Sequence, residues 1–257
     1  MAFNKDSTGG TLLAAFIICL VCGVIVAVAA VMLRPMQNEN RALDRQKNVL
    51  IAANAYQPGM DVKQAFERVE RRFVELASGT EVERPDSYDQ AKAAADPEQS
   101  TALAVDPAGI RRLPDVAEVF FLRNDDGSLR SIVLPVSGYG LWSTLYGYLA
   151  LEPDANTVAG LVFYDHGETP GLGGEVDNPA WRAQWVGKTL TDSNGRVQIE
   201  VVKGSVDASS STAQYKVDGL SGATLTSQGV SQLVRFWVGE QAFGPYLSRL
   251  RSGAVSE

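Results

Sequence analysis

Cysteine is nearly absent: of 257 residues only Cys19 and Cys22 carry a thiol, and both fall inside the most apolar stretch of the chain. Outside that stretch a disulfide framework, a thiolate zinc site and an iron–sulfur cluster are all excluded for want of ligands. The Cys19-x-x-Cys22 spacing is read as two small apolar residues in a helix, because redox C-x-x-C motifs belong beside a soluble βαβ unit. Histidine is scarcer still. With His166 the single imidazole, no His-rich metal site can be assembled, and a Ser-His-Asp arrangement would have to use that one ring. Basic residues are outnumbered, 23 Lys and Arg against 30 Asp and Glu, for a formal net charge of −7 and a pI near 4.9. They form no stripe, so nucleic acid is disfavoured as a partner: duplex binding needs Lys and Arg clustered to neutralise phosphates. Neither G-x-G-x-x-G nor G-x-x-x-x-G-K-[ST] occurs, which leaves a Rossmann or Walker site without support.

What is present begins with Leu12 to Leu33, a run of 22 positions with no charge, bounded by Lys5 and Asp6 before and Arg34-Pro35 after. At about 1.5 Å per residue such a helix spans the ~30 Å hydrocarbon core. Ala27-Val28-Ala29 resembles a signal-peptide cleavage site, but the run continues past it and exceeds the usual h-region of about 7–15 residues, which favours an uncleaved anchor. Helical spacing of apolar residues then covers Asn38 to about Tyr56, and Asp61 reads as the N-cap of a second helix reaching about Leu76. Ser78 to Ser100 is polar and aperiodic and reads as a linker or long loop.

From about Ala102 the pattern changes to short β-like runs separated by Gly, Asn and Asp. Ala117–Leu122 and Ser131–Val136, joined by Asn124-Asp-Asp-Gly127, make a hairpin; Val158–Tyr164 and Val197–Lys203 are further strands. Helices are predicted around Asn178–Val186 and Ser227–Phe243. The fold class is α+β with a mostly antiparallel sheet, organised as an N-terminal transmembrane anchor (1–36), a helical connector and polar linker (37–100) and a C-terminal domain (101–257).

Three glycine-rich segments are the candidate chemistry: Ser137–Ser143, His166–Gly174 and Ser221–Thr224. The third ends where a helix should begin, with Thr226 or Ser227 as N-cap and Val230, Leu233, Val234 and Trp237 as the apolar stripe. Free N–H groups and the positive dipole end there suit a phosphate, and Gly222 and Ala223 leave room to approach a hydroxyl. From spacing alone, a Ser/Thr-rich turn that merely caps a helix is the commoner explanation. Tyr139 and Trp142 likewise serve equally well as core aromatics.

The run Asp218-Gly-Leu-Ser-Gly-Ala-Thr224 resembles the acceptor motif, Asp-x-x-Ser/Thr-Gly-Ala-Thr, of FMN-binding domains modified by a flavin transferase. The single span, His166-Gly-Glu-Thr-Pro-Gly-Leu-Gly173, Gly138-Tyr-Gly-Leu-Trp142 and the helix after the motif extend that likeness over nearly the whole chain. The family it resembles is that of the C subunits of the sodium-translocating NADH:quinone reductases, with the G subunit of the Rnf complex as a sister alternative. The resemblance implies FMN held by a phosphoester on Thr224, transferred from FAD, with Asp218 read by the transferase and Ser221, Gly222 and Ala223 at the phosphate. Tyr139, Gly140, Leu141, Trp142, Gly171 and Leu172 would face the isoalloxazine; Ser143, Thr144, Glu168 and Thr169 would bond its polar edge or ribityl chain. No residue is assigned a catalytic role or a metal; His166 is read as a hydrogen-bonding loop residue, because one-electron transfer needs no general base. The chain would be an electron-transfer subunit, inactive alone, of a complex with other membrane, flavin and Fe–S subunits that oxidises NADH, reduces quinone and exports sodium.

The same resemblance implies a single-pass protein of the bacterial inner membrane with its FMN domain in the periplasm. Charge opposes it: Arg34, Arg41, Arg45 and Lys47 follow the span and only Lys5 precedes it, which by the positive-inside rule places the domain in the cytoplasm. The family's orientation is the one adopted. A non-enzymatic anchored module, with Tyr139, Trp142 and the glycine loops holding a peptide or glycan, is the alternative of another class.

Overall fold

A computed structural model describes residues 8–253. Helix α1 runs unbroken over Thr8–Ala52, with Pro35 inside it. The expected division into a span ending at Leu33 and a separate helix from Asn38 is therefore corrected to one helix. Its large apolar side chains from Leu12 to Met36 are exposed, and α1 is long and apolar enough to cross a membrane. The chain divides into two compact units between Arg45 and Gln46.

In the second unit the elements follow as α2 (Val62–Phe66), β1 (Val69–Glu75), β2 (Thr80–Val82), α3 (Gln90–Ala95), β3 (Ser100–Ala102), β4 (Arg112–Pro114), β5 (Val116–Arg123), β6 (Leu129–Tyr139), β7 (Thr144–Leu151), β8 (Val158–Asp165), α4 (Pro179–Ala183), β9 (Glu200–Val201), β10 (Lys216–Val217), α5 (Thr224–Trp237) and α6 (Gly244–Arg251). Six of these strands form one antiparallel sheet in the order β2-β1-β5-β6-β7-β8. The α+β class with a mostly antiparallel sheet holds.

Two expectations fail in the segment 61–100. Asp61 does cap a helix, its carboxylate accepting from the N–H groups of Lys63 and Gln64, but that helix stops at Phe66. Residues 69–75 form β1, paired along its length with β5. The helical spacing of Val69, Phe73 and Leu76 is overridden by tertiary pairing: Arg71 finds Glu118 of β5 at 2.8 Å, and the Arg72 guanidinium stacks over the Phe121 ring at 4.5 Å. The polar stretch expected as a linker contains β2 and α3. Within the segment 37–100, β1 and β2 are two strands of the main sheet.

Both faces of the sheet are covered, which explains why seven of the eight residues of β5 are buried rather than alternating. On β5, Ala117, Val119 and Phe121 face a core shared with α5, α6 and the loops around α4. Phe120 and Leu122 face the other way, toward Val49, Leu50, Ala52 and Ala53 at the end of α1. In the sheet, β6 lies between β5 and β7, and β7 between β6 and the edge strand β8.

Candidate functional site

The β6–β7 hairpin closes tightly. Tyr139 pairs with Thr144, and the Gly140 N–H donates to the Ser143 carbonyl at 2.9 Å, which leaves Leu141 and Trp142 alone at the tip. Their side chains are exposed, Trp142 by 66%. Tyr139 and Leu172 are also exposed, so these four are surface apolar residues rather than core. An exposed cluster of large apolar groups on one side of a domain marks a place where something binds.

The last glycine-rich segment leads into α5, which starts at Thr224, three residues before the expected start, and ends at Trp237 with α6 separate. Its N-cap is Ala223, which offers no side-chain hydrogen bond. Neither Thr226 nor Ser227 caps the helix, and the reason is tertiary: the Thr226 hydroxyl donates to Glu168 Oε2 at 2.7 Å, while Ser227 Oγ accepts the Leu220 N–H at 2.9 Å. Both are buried, Thr226 to 1% exposure, whereas Ser221, Gly222 and Thr224 are exposed. Gly222 has φ +73, where a side chain would be strained, and a Cβ there would lie 2.9 Å from Leu172 Cδ2, so the turn before Thr224 favours glycine and lies against the exposed Leu172. A cap position filled by alanine at the head of a 14-residue helix leaves first-turn N–H groups without a side-chain acceptor. That donor set, beside an exposed hydroxyl and exposed apolar surface, fits a phosphate ester carrying a flat apolar ring.

Between hairpin and helix lies the His166–Gly174 loop. Glu168 is buried, and its Oε1 accepts the N–H groups of Leu141 and Trp142, each at 2.9 Å. Burial pushes this carboxyl up, but donation by Thr226 and by the amides of Trp142, Leu141 and Ser143 outweighs it and holds the group below the ordinary carboxylate range. His166 Nδ1 accepts the Glu168 N–H at 3.2 Å and its Nε2 meets Asp177 at 2.9 Å. Ser143 Oγ accepts the Gly167 N–H at 2.6 Å. Ser143 and Glu168 therefore spend their polar atoms inside the protein. Thr169 is exposed, and its carbonyl accepts from Leu172 and Gly174, making the turn that carries Gly171. Asp218 is half-buried: its Oδ1 accepts the Val206 N–H at 2.7 Å and its carbonyl the Trp181 indole N–H at 2.8 Å, so it staples the segment leading to Thr224.

The three segments singled out in the sequence thus converge around the head of α5. Sequence reasoning overlooked Thr226 as the buried partner of Glu168 and the exposed Leu225 beside Thr224. The helical period gave a signal for the first, since Thr226 is in register with Val230, Leu233 and Trp237.

Fold and site together define a flavin-binding module, and the FMN-binding domain family matches residues 140–239, which take in the hairpin tip, the Glu168 loop and α5. The C subunit of the Na(+)-translocating NADH-quinone reductase from Pseudomonas aeruginosa is 52% identical over 97% of this chain and 98% of its own. Its counterpart from Yersinia pestis is 49% identical over 98% of this chain and 96% of its own. The crystal structure of Shewanella oneidensis NqrC shares the fold at a TM-score of 0.76 and 37% identity, covering 81% of this chain and 97% of that one. The chain belongs to the family of Na(+)-translocating NADH-quinone reductase C subunits.

Proposed function

We propose that the chain is an electron-transfer subunit that carries FMN as a phosphoester on Thr224 within a membrane complex oxidising NADH, reducing quinone and exporting sodium ions. Membership of the C-subunit family supports the complex. The observation that carries the linkage is the contrast of two threonines on one turn: Thr224 is exposed ahead of uncapped N–H groups, and Thr226 is buried and committed to Glu168.

In forming the ester, the Thr224 oxygen replaces AMP at the flavin-side phosphorus of FAD and the hydroxyl loses its proton, a step assigned to a separate flavin transferase that reads Asp218. When bound, FMN supplies redox chemistry that accepts and passes on single electrons. The chain's own residues position it. First-turn N–H groups of α5 would hold the phosphate, with Ser221, Gly222 and Ala223 forming its approach. Tyr139, Leu141, Trp142 and Leu172 would offer surface to the ring, on the loops that carry Gly140 and Gly171. Thr144 and Thr169 would flank its polar edge, beside Ser143, whose hydroxyl is already engaged by the Gly167 N–H. Passing single electrons asks no general base of this chain. Electrons would be exchanged with flavin and Fe–S centres of partner subunits, and the domain would face the periplasm.

The linkage is tested on chain co-expressed with a flavin transferase. The denatured wild-type band should fluoresce under ultraviolet light at a mass raised by one FMN less water; Thr224→Val should be dark and Thr226→Val bright. A dark wild type beside an active transferase returns the site to an anchored binding module. A bright Thr224→Val moves the acceptor to another hydroxyl.

A further inference from the structure

Glu168 is a buried carboxylate that an electron carrier has no chemical need for, yet it gathers donors from both elements flanking Thr224. We propose that Glu168 is the positioning residue of the flavin site, clamping the β6–β7 hairpin tip to the first turn of α5; the inference rests on the assignment of the flavin to Thr224. Oε1 takes the two tip amides, Leu141 and Trp142, and Oε2 takes the Thr226 hydroxyl. The exposed side chains of Leu141 and Trp142 do not pack into the core, so the tip is located through its backbone. The helix end is located through Thr226, two positions past the tether.

The surroundings are built for this one group. A Cβ on Gly140 would lie 2.5 Å from Oε1, and one on Gly173 would lie 2.5 Å from Oε2 and 2.6 Å from the Thr226 oxygen. Any side chain at either place displaces the clamp. The clamp's own backbone is fixed by His166, which accepts the Glu168 N–H and is itself held by Asp177, and by Ser143, which accepts the next N–H along the loop at Gly167. Hairpin, loop and helix are thereby joined in a closed circuit with Glu168 at its centre.

Chemistry explains the residue type. Two oxygens that only accept can serve amides on one side and a hydroxyl on the other. Glutamine keeps one acceptor and turns the other into an NH2 group, forcing Thr226 to reverse its bond; aspartate is one methylene too short to span both partners. A flavin on a phosphoester swings about several single bonds, so its orientation depends on the apolar plate staying at fixed distance from the tether.

The test uses full-length chain, flavinylated in the cell, purified in detergent and kept well below its unfolding temperature. Fluorescence anisotropy and visible circular dichroism of the flavin report its immobilisation, and fluorescence of the denatured band reports attachment. Glu168→Ala and Glu168→Asp should keep a bright denatured band but lose most of the visible dichroism, with anisotropy falling toward that of a free tether. Thr226→Val should fall between them and wild type, and Glu168→Gln should stay nearest wild type. A folded Glu168→Ala with wild-type anisotropy and dichroism overturns the clamp while leaving the tether standing. If Glu168→Ala does not fold, Thr226→Val and Glu168→Gln decide: both indistinguishable from wild type overturns the clamp, and the graded loss supports it. A dark wild-type band removes the tether, and the clamp's purpose with it.

Discussion

At the scale of single residues, Thr224 and Thr226 show how two identical side chains acquire opposite fates from helical geometry. A turn of about 3.6 residues sets positions two apart on opposite faces, so the stripe that buries Val230, Leu233 and Trp237 takes Thr226 inward and leaves Thr224 out. This much was legible in the periodicity. The partner of Thr226 was not, because Glu168 lies 58 residues away in sequence and no local pattern links them. The motif around Glu168 suggested a polar contact for a ligand, whereas the structure gives its oxygens to the protein. That use has a consequence for acid stability. The folded carboxyl titrates below the ordinary range, so the unfolded chain takes up the proton first as pH falls. Stability contributed by Glu168 is complete above about pH 5 and is lost as pH drops through the folded value. Urea unfolding from pH 7 downward should therefore fall more steeply for wild type than for Glu168→Gln. Parallel curves would show that the carboxylate contributes nothing of the kind.

At the scale of elements, the legible parts were those whose own sequence decides them. The apolar run of α1, the Asn124–Gly127 turn and the stripe of α5 all appear where expected, with ends shifted. β1 was not legible, because its residues carry a helical spacing and become a strand only when Glu118 and Phe121 of β5 lie alongside. Nor did the end of α1 announce its second role. Its last two turns belong to the sheet's other core, where Leu50 is 1% exposed beside Phe120, Leu122 and Val133. The tail of the anchor is thus part of the domain. Truncating Leu50 to alanine should lower stability by about 2–5 kcal/mol, the usual range for a buried Leu losing its packing. The comparison at Met32, which lies on α1 outside both cores, should show almost no change in the same denaturant midpoint. An unaffected Leu50→Ala would mean that the helix end does not cover the sheet.

At the scale of the whole molecule, a helix long and apolar enough to span a membrane, an end of that helix that folds with the domain and the flavin tether proposed on Thr224 make sense together. A site that had to meet redox partners could not enclose its cofactor, and the proposed ester would prevent loss where burial could not. Which side of the membrane the domain occupies is where two lines of reasoning collide. Arg34, Arg41, Arg45 and Lys47 follow the span and favour a cytoplasmic domain by the positive-inside rule, against the periplasmic domain that we propose. The rule weighs short loops near the span and weakens for a long domain that translocates regardless of flanking charge. The unit from Gln46 onward is far longer than such a loop, and Arg41, Arg45 and Lys47 lie close to the unit boundary on the helix itself. Trypsin decides the matter, because Arg196 and Lys203 are exposed. Added to intact spheroplasts, it should cut at these positions and release fluorescent fragments while a cytoplasmic marker protein stays whole. Protection in spheroplasts with cleavage only after lysis would reverse the orientation, and would place the flavin on the same side of the membrane as NADH.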